Sequence, residues 1–559
     1  MLPAQSSRHA TYGVLGTRWL VVGKLGVVTW VEGTTVRFRI AEGVRVERGM
    51  LVKVEDSGRR FIVKVVDFKP ESLLSAAEVA VISSKADRGE RVQLRDKDLR
   101  LYDTAIGVIV AQIEPDGEAH GPTSVPAIFA AVESLEKDDL EKLRLHTGDI
   151  PIGYVRFGHD QVDTVVALDG SKVIPHHVLV VGGTGAGKSN FGRVFSASIL
   201  DTKGKYSLVV FDCESEYLLG SKPGEMGLAH LPYAEEYLFL VTGRVNRPGR
   251  LRVELPELGE TRNIPAYPLK MDVNRLKPYD FTLTGEFSGP QEELLWLAYK
   301  QFGEDWIYSL LAADSRSIYA RLGRLAGVNT INVTKRKIKY LVGDGDIFCR
   351  ECDYDLASAV LSMVAKGRVV LIETPFATEG EEKLLATVVA ERIFRSYEEM
   401  RKKLPEKWAQ LPPVLIMVEE AHRYLSSHAL GGKGEVRENI FSVIAKRGRK
   451  YKVGGLYITQ MPSELMEAVV RQALTKVVLS LPTRPDYLMV INHSPYLDEA
   501  ENEIKTLDRG EAVVVSQPSG FRFAVSVRVF SYEEYCMRLV EKQRRAQLVQ
   551  SPVEAEGLD

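Results

Sequence analysis

The chain has 559 residues, a formal net charge of −2, and 45% hydrophobic and 26% charged residues. This composition is typical of a globular protein, and the length suits about three to four domains. The near-neutral charge excludes a globally basic nucleic-acid-binding protein but leaves local basic patches open. No apolar run reaches the ~18 residues of a membrane helix, and the first residues lack the apolar segment of a signal peptide. We therefore expect a cytoplasmic protein with no membrane partner.

The four cysteines argue against a disulfide framework in a chain of this length. Cys349 and Cys352 form a C-x-x-C pair, but no second pair follows, so a zinc site would need further ligands. We expect incidental placement of this pair, with a local disulfide or a metal site as the alternatives.

Residues ~14–95 contain stretches that alternate between apolar and polar side chains. Val36, Phe38 and Ile40 alternate with arginines, and glycines punctuate the runs that follow. Short alternating strands at this spacing predict a small antiparallel β-barrel or sandwich, which would serve as a platform. Residues 96–175 are expected to form a transition into the next domain, with a short charged helix within it.

A strand followed by a glycine-rich loop dominates the sequence. The apolar run Val178–Val181 precedes Gly182–Ser189, which matches G-x-x-x-x-G-K-[ST]. The glycines let backbone N–H groups point at phosphates, Lys188 would reach the outer phosphates, and Ser189 would hold Mg²⁺. A glycine-rich turn without a ligand is the alternative. The pattern predicts a nucleoside triphosphate and Mg²⁺ site whose nucleotide-binding residues are Gly183, Thr184, Gly185, Ala186, Gly187, Lys188, Ser189 and Asn190.

Two later strands end in carboxylates. The apolar run Ser207–Phe211 leads to Glu216, which would position water or metal or make only a surface contact. The segment Val414–Glu420 has the pattern of a Walker B strand. Glu419 would lie near Mg²⁺, where many motors have Asp, and Glu420 would orient or deprotonate the attacking water. Strand-end salt bridges are the alternative for this pair.

Two further motifs follow the Walker B segment. Gln460 ends an apolar strand and would sense the γ-phosphate. The basic run Lys446–Lys452 has three interpretations. Arg449 or Arg447 would act as an arginine finger on a neighbour's nucleotide, the run would contact DNA phosphates, or it would be a solvated helix end.

The remaining segments show no catalytic motif. Residues 251–360 interrupt the strand–helix alternation with helices at Gln291–Phe302 and Trp306–Ala326, which indicates a helical insertion. The glycine-rich segment His428–Val436 would line a pore and grip a nucleic-acid backbone, or would be a plain loop. A last helix is expected to begin near Ser531 and to end before an acidic tail.

The combination of these motifs resembles the HerA family of hexameric DNA translocases. The segments that carry the resemblance are PHHV leading into GGTGAGKSN, then FDCESEY, VEEAH and KRGRKYKVGGLYITQMPSEL. The resemblance implies an N-terminal HAS barrel, a RecA-like core and a C-terminal brace across the subunit boundary. It also implies four catalytic roles: Lys188 on the nucleotide, Glu420 as catalytic acid, Gln460 as sensor and Arg449 as a finger acting in trans.

We therefore predict an α/β fold, a RecA-like P-loop NTPase core with a helical insertion and a small N-terminal β-barrel. The expected domains are the barrel (1–95), the transition (96–175), the core (176–250 and 361–530), the insertion (251–360), and the brace helix with its tail (531–559). Ser189 and Glu419 are the expected metal residues.

The expected function is ATP-dependent DNA translocation by a homo-hexameric ring on double-stranded DNA. The resemblance also implies a NurA-type nuclease as partner in DNA end resection and double-strand break repair. Two alternatives stay open: an ATPase scaffold that regulates a nuclease, including in phage defence, and a secretion or conjugation motor.

Overall fold

The computed structural model describes residues 23–90, 96–322, 325–350, 352–425 and 438–550. The loop predicted at His428–Val436 and the acidic tail after residue 550 lie outside the described residues. Contact clustering divides the chain into two units. The first ends at Leu143 and also contains Val155–Thr164, while the second contains Arg144–Tyr154 and continues from Val165. No helix in the described ranges is long and apolar enough to cross a membrane.

The first unit is built around an antiparallel barrel. Its strands are β1 (Lys24–Glu32), β2 (Thr35–Ile40), β3 (Leu51–Asp56), β4 (Arg59–Ser72), β5 (Leu101–Ile113), β6 (Ala119–His120) and β7 (Ala131–Ser134). Its helices are α1 (Ala76–Asp87), α2 (Lys97–Arg100) and α3 (Lys137–Lys142). The strand order is β2-β1-β7-β3-β4-β5, and β2 pairs with β5, so the sheet closes on itself.

The apolar side chains of the alternating pattern fill the interior of the barrel. Val36 and Phe38 of β2 are fully buried, whereas the intervening Arg37 lies over the Trp30 ring. The barrel continues past residue 95, because β5 and β7 lie in the stretch expected to be a transition. β4 and β5 pair along most of their length. They are neighbours in space, although the α1–α2 segment lies between them in the sequence.

The second unit contains a 13-stranded sheet. The strands of this unit are β8 (Ile150–Phe157), β9 (Asp160–Leu168), β10 (Val178–Val181), β11 (Ser207–Asp212), β12 (Leu238–Thr242), β13 (Gly249–Leu255), β14 (Glu260–Pro268), β15 (Met271–Asp272), β16 (Phe348–Cys349), β17 (Val369–Glu373), β18 (Val414–Val418), β19 (Val453–Thr459), β20 (Thr475–Leu479), β21 (Glu511–Ser516) and β22 (Val525–Val529). The β8–β9 hairpin is divided between the units, because its turn and the adjoining strand residues, Val155–Thr164, belong to the first unit.

Helices cover this sheet and form the insertion. They are α4 (Gly170–Val173), α5 (Lys188–Asp201), α6 (Ala234–Tyr237), α7 (Pro278–Thr282), α8 (Gly289–Phe302), α9 (Trp306–Ala312), α10 (Ser315–Arg321), α11 (Val328–Val342), α12 (Leu356–Val364), α13 (Glu379–Lys403), α14 (Pro405–Gln410), α15 (His422–Leu425), α16 (Ile440–Arg447), α17 (Glu467–Gln472), α18 (Arg484–Asn492), α19 (Glu501–Ile504) and α20 (Tyr532–Gln550).

The strand order of the large sheet is β13-β14-β12-β17-β11-β18-β19-β10-β20-β21-β22-β8-β9. The pairs from β14 to β20 are all parallel. The apolar runs of β10 and β18 are buried at every position, as expected for parallel strands covered on both faces. β10 therefore lies between β19 and β20, and β19 alone separates it from β18.

The helical insertion is smaller than the sequence predicts. Residues 249–268 form β13 and β14, which extend the large sheet, and the helices α7–α12 follow them. The helix expected at Trp306–Ala326 is interrupted, because the Asp314 carboxylate caps a new helix, α10. Cys349 and Cys352 form a disulfide, with their Cα atoms 6.0 Å apart, so the expectation of incidental placement is wrong.

Candidate nucleotide-binding site

The predicted site residues other than Arg449 lie at the carboxyl ends of three strands of the large sheet. β10, β18 and β19 are parallel neighbours or next neighbours, so their carboxyl ends lie side by side. The glycine-rich loop follows β10, Glu419 and Glu420 follow β18, and Gln460 follows β19. In open α/β sheets, ligands bind at the carboxyl ends of the strands.

The loop after β10 has the backbone of a phosphate cradle. Gly185 and Gly187 adopt φ values of 76° and 110°, which other residues rarely reach. α5 begins at Lys188, so the free N–H groups of its first turn point into the loop. The Lys188 ammonium donates to the Gly182 and Gly183 carbonyl oxygens, each at 3.0 Å. Burial lowers the pKa of Lys188, and the carboxylates beyond β18 act in the opposite direction.

Glu419 is held from the side by a tyrosine. The Tyr217 hydroxyl donates to Glu419 Oε1 at 2.5 Å. Burial raises the pKa of Glu419 to about 7, the tyrosine hydrogen bond opposes this rise, and the nearby carboxylates Asp212 and Glu216 add to it. A cation beside this carboxylate would favour its charged form.

Glu420 has an unusual backbone for a non-glycine residue, with φ of 44°. The next residue, Ala421, donates its N–H to the Ile458 carbonyl oxygen at 2.9 Å, which fixes this turn against β19. His422 Nδ1 lies 3.3 Å from Glu420 Oε2 and 3.2 Å from Thr459 Oγ1. The backbone thus holds Glu420 at the strand end, beside Lys188, whose pKa it influences.

Gln460 contacts the phosphate loop directly. The Thr184 hydroxyl donates to Gln460 Oε1 at 2.9 Å, across 276 residues of sequence. The loop and the end of β19 are therefore in hydrogen-bond contact.

Asn190 differs from the other loop residues. Its side-chain amide donates to the Phe530 carbonyl oxygen at 2.8 Å and its Oδ1 accepts from the Tyr532 N–H at 3.0 Å. The side chain is thus engaged with the segment that enters α20. Only the backbone N–H of Asn190 is available to a phosphate.

Asp212 and Tyr217 are residues that motif reasoning missed. The Asp212 carboxylate accepts the N–H groups of Glu216 and Tyr217 at 3.1 and 3.0 Å and so caps the turn after β11. Burial raises the pKa of Asp212 to about 6, against these hydrogen bonds. Both residues lie in the segment FDCESEY, but this local pattern does not indicate that Tyr217 contacts Glu419.

The basic run divides into paired and unpaired side chains. Lys446 pairs with Glu438, and Arg447 pairs with Glu398 at 2.8 Å. Lys452 donates to three carbonyl oxygens at the end of α14. Arg449 is exposed in the 3-10 turn Gly448–Tyr451, and within the described ranges its guanidinium has no hydrogen-bond or ion-pair partner.

The residues present suit a triphosphate with a divalent cation. The positive φ values leave loop N–H groups facing inward, and Lys188 supplies a positive charge. The Ser189 hydroxyl and the Glu419 carboxylate are oxygen donors of the kind Mg²⁺ prefers. The buried, tyrosine-bonded Glu419 is the observation that supports this fit.

The fold and the site define an α/β P-loop ATPase with a RecA-like core, a helical insertion and an N-terminal barrel. The family model described as "Helicase HerA, central domain" matches residues 150–393. The central part of this chain is thus similar to the HerA family, as the resemblance in its motifs indicates.

Several curated relatives match over most of their length. The chain is 25% identical over 468 residues to the DNA double-strand break repair helicase HerA of Pyrococcus furiosus, covering 78% of this chain and 81% of that protein. It is 23% identical over 403 residues to the helicase of the same name from Sulfolobus acidocaldarius, covering 72% and 73%. Among solved structures, the plasmid coupling protein TrwB with a GTP analogue matches with a TM-score of 0.43 and 14% identity, covering 65% of this chain and 88% of that one.

Proposed function

We propose that this chain is an ATP-driven translocase of double-stranded DNA that works as a homo-hexameric ring. The observation that carries the proposal is the position of Arg449 relative to Lys188. Arg449 lies before the amino end of β19, and Lys188 lies beyond the carboxyl end of the neighbouring β10. β19 has seven residues, which span roughly 20 Å, so Arg449 does not reach the phosphate loop of its own chain.

An arginine in this position suits a site shared between two copies. In the proposed ring, Arg449 of one subunit approaches the phosphate loop of the next and stabilises the charge that develops on the transferred phosphoryl group. An arginine finger of this kind contributes about 10³–10⁵ in rate in other NTPases. Arg447 is the weaker candidate, because its guanidinium already pairs with Glu398.

Each of the remaining residues has one task in this proposal. The loop N–H groups and Lys188 bind and orient the phosphates, and Glu420 accepts a proton from the attacking water or orients it. Gln460 reports the outer phosphate to the loop through Thr184. Ser189 and Glu419 would hold Mg²⁺, which would neutralise part of the phosphate charge.

The proposed substrate is double-stranded DNA, and the proposed partner is a NurA-type nuclease in end resection. The DNA substrate is supported by the curated relatives, which are DNA double-strand break repair helicases. The barrel offers a separate folded unit for a partner.

The decisive experiment measures the ATPase rate with and without double-stranded DNA, with the particle mass determined in the same buffer. Salt-sensitive stimulation by DNA and the mass of a hexamer are the expected results. Stimulation by a polypeptide with indifference to DNA would indicate a secretion-type motor instead. A Glu420→Gln variant that still activates a partner nuclease without hydrolysing ATP would indicate a scaffold.

A further inference from the structure

Tyr217 is deeply buried beside the proposed metal carboxylate. Its side chain is 1% exposed, and its hydroxyl donates to Glu419 Oε1 at 2.5 Å. This hydrogen bond joins the turn after β11 to the end of β18, across 202 residues of sequence. This hydrogen bond fixes the direction of Oε1 and leaves Oε2 as the oxygen available to a cation.

The turn that carries Tyr217 is itself held in place. The Asp212 carboxylate, 2% exposed, accepts the N–H groups of Glu216 and Tyr217. The Tyr217 carbonyl oxygen accepts the Leu228 N–H at 2.7 Å. The backbone of Tyr217 is therefore bonded on both sides, and its ring direction follows from the fold.

The phosphate-loop helix makes room for this ring. A Cβ atom added at Gly192 of α5 would lie 2.2 Å from the Tyr217 hydroxyl oxygen, far inside contact distance. Gly192 is thus the point where α5 approaches the tyrosine, three residues after Ser189. α5, Tyr217 and the Glu419 carboxylate are therefore in mutual contact through the Tyr217 side chain.

We propose that Tyr217 is a positioning residue that aims the Glu419 carboxylate at the cation of the bound nucleotide. The inference deepens the proposed function and rests on it, because it assumes that Glu419 serves the metal. Groups that orient metal ligands in other proteins typically change metal affinity or activity about 10–100-fold when they are removed.

The experiment compares ADP affinity with and without Mg²⁺ in the full-length chain. Tyr217→Phe should leave metal-free ADP affinity unchanged and raise the Mg²⁺ concentration needed for half-maximal effect about tenfold. Gly192→Ala should act in the same direction, because the added methyl group displaces the hydroxyl. In a Glu419→Gln background, Tyr217→Phe should cause no further change, because residues that act through one another are not additive.

The matched control is Tyr457→Phe. Tyr457 is also buried, in β19, and its hydroxyl donates to a backbone carbonyl, Phe441, at 3.4 Å. An equal change in Tyr457→Phe, or a further loss from Tyr217→Phe in the Glu419→Gln background, would overturn the positioning role. A wild-type chain that binds no ADP would instead overturn the proposed function, before any variant is compared.

Discussion

The Asn190 side-chain amide donates a hydrogen bond to the Phe530 carbonyl oxygen at 2.8 Å, across 340 residues of sequence. Its oxygen accepts from the Tyr532 N–H, so both ends of one amide are engaged. Asn190 follows Ser189 in the first turn of α5, and Tyr532 begins α20. The phosphate-loop helix and the C-terminal helix are therefore joined within one residue of the proposed metal site.

Replacing Asn190 by alanine should lower stability without lowering nucleotide affinity. The change removes two hydrogen bonds and leaves the backbone groups of Phe530 and Tyr532 without this partner, which costs about 1–3 kcal/mol. The side chain faces away from the loop, so ADP affinity should stay close to that of the wild type. Chemical unfolding and a fluorescent ADP titration measure the two quantities.

Asn190→Asp is the matched control for this prediction. It keeps the acceptor for the Tyr532 N–H and loses the donor to Phe530, so its stability should lie between those of the wild type and the alanine variant. A large loss of ADP affinity in both variants, with unchanged stability, would contradict the structural role. It would indicate instead that the Asn190 side chain binds the nucleotide.

Arg449→Ala should abolish ATP turnover while leaving ADP binding and folding intact. Arg449 lies at the amino ends of the strands, and its own phosphate loop lies at their carboxyl ends. The effect of the substitution should therefore cross a subunit boundary. Mixtures of Arg449→Ala and Lys188→Ala subunits should therefore recover part of the activity, because some interfaces then have an intact arginine and an intact lysine. Turnover is measured across mixing ratios.

Arg447→Ala serves as the control for the same run. Its guanidinium pairs with Glu398 and lies over the Phe394 ring, so its loss should reduce stability more than turnover. The absence of recovery at every mixing ratio would count against a role of Arg449 in trans, and normal turnover in Lys188→Ala would refute the site itself.

Acid should destabilise the core through His177. Burial lowers the pKa of this imidazole from 6.5 to about 4, and its Nδ1 accepts the Gly455 N–H at 2.9 Å, which requires the neutral ring. Between these values the unfolded chain binds a proton that the folded chain does not, so stability falls as pH decreases. The maximal slope is about 1.4 kcal/mol per pH unit.

His177→Gln should reduce this pH dependence, because glutamine keeps an acceptor and a donor but does not titrate. The quantity to measure is the free energy of unfolding from pH 7 to pH 4.5, for the variant and the wild type together. His146→Gln, at an exposed histidine of the same unit, is the control. Equal slopes for wild type and His177→Gln would contradict the prediction.

A chain that begins at Asp96 should be poorly soluble. It lacks β1–β4 but keeps β5 and β7, whose pairing groups then lie at open edges that favour aggregation. A chain that begins at Arg144 lacks every barrel strand and should stay soluble and bind ADP. Size-exclusion chromatography of the two truncations tests this, and equal solubility would contradict the barrel boundary given by the strand pairing.

The sequence was most informative where chemistry needs a local pattern. The loop Gly182–Ser189, the acids after Val418 and the glutamine after Thr459 each follow an apolar strand, and parallel strands bring their carboxyl ends together. The relative order of β10, β18 and β19 could not be derived, because any arrangement of buried parallel strands has the same apolar runs.

Contacts between distant residues left no trace in local patterns. The Tyr217–Glu419 and Asn190–Phe530 bonds join segments more than 200 residues apart, and a single sequence does not encode such pairs as motifs. The barrel boundary was misjudged for the same reason, because β5 pairs with β4 only after the α1–α2 segment. In the basic run, Arg447 and Arg449 look alike until Glu398 is seen beside one of them.

In the proposed ring, the position of Arg449 has a consequence for the kinetics of the protein in solution. A catalytic centre completed by a second molecule makes the rate rise faster than linearly with protein concentration until assembly saturates. Dilution should then abolish ATP turnover even while each molecule keeps its bound nucleotide. Once the ring is fully assembled, the rate should be proportional to protein concentration. The reaction order in protein therefore reports the extent of subunit assembly.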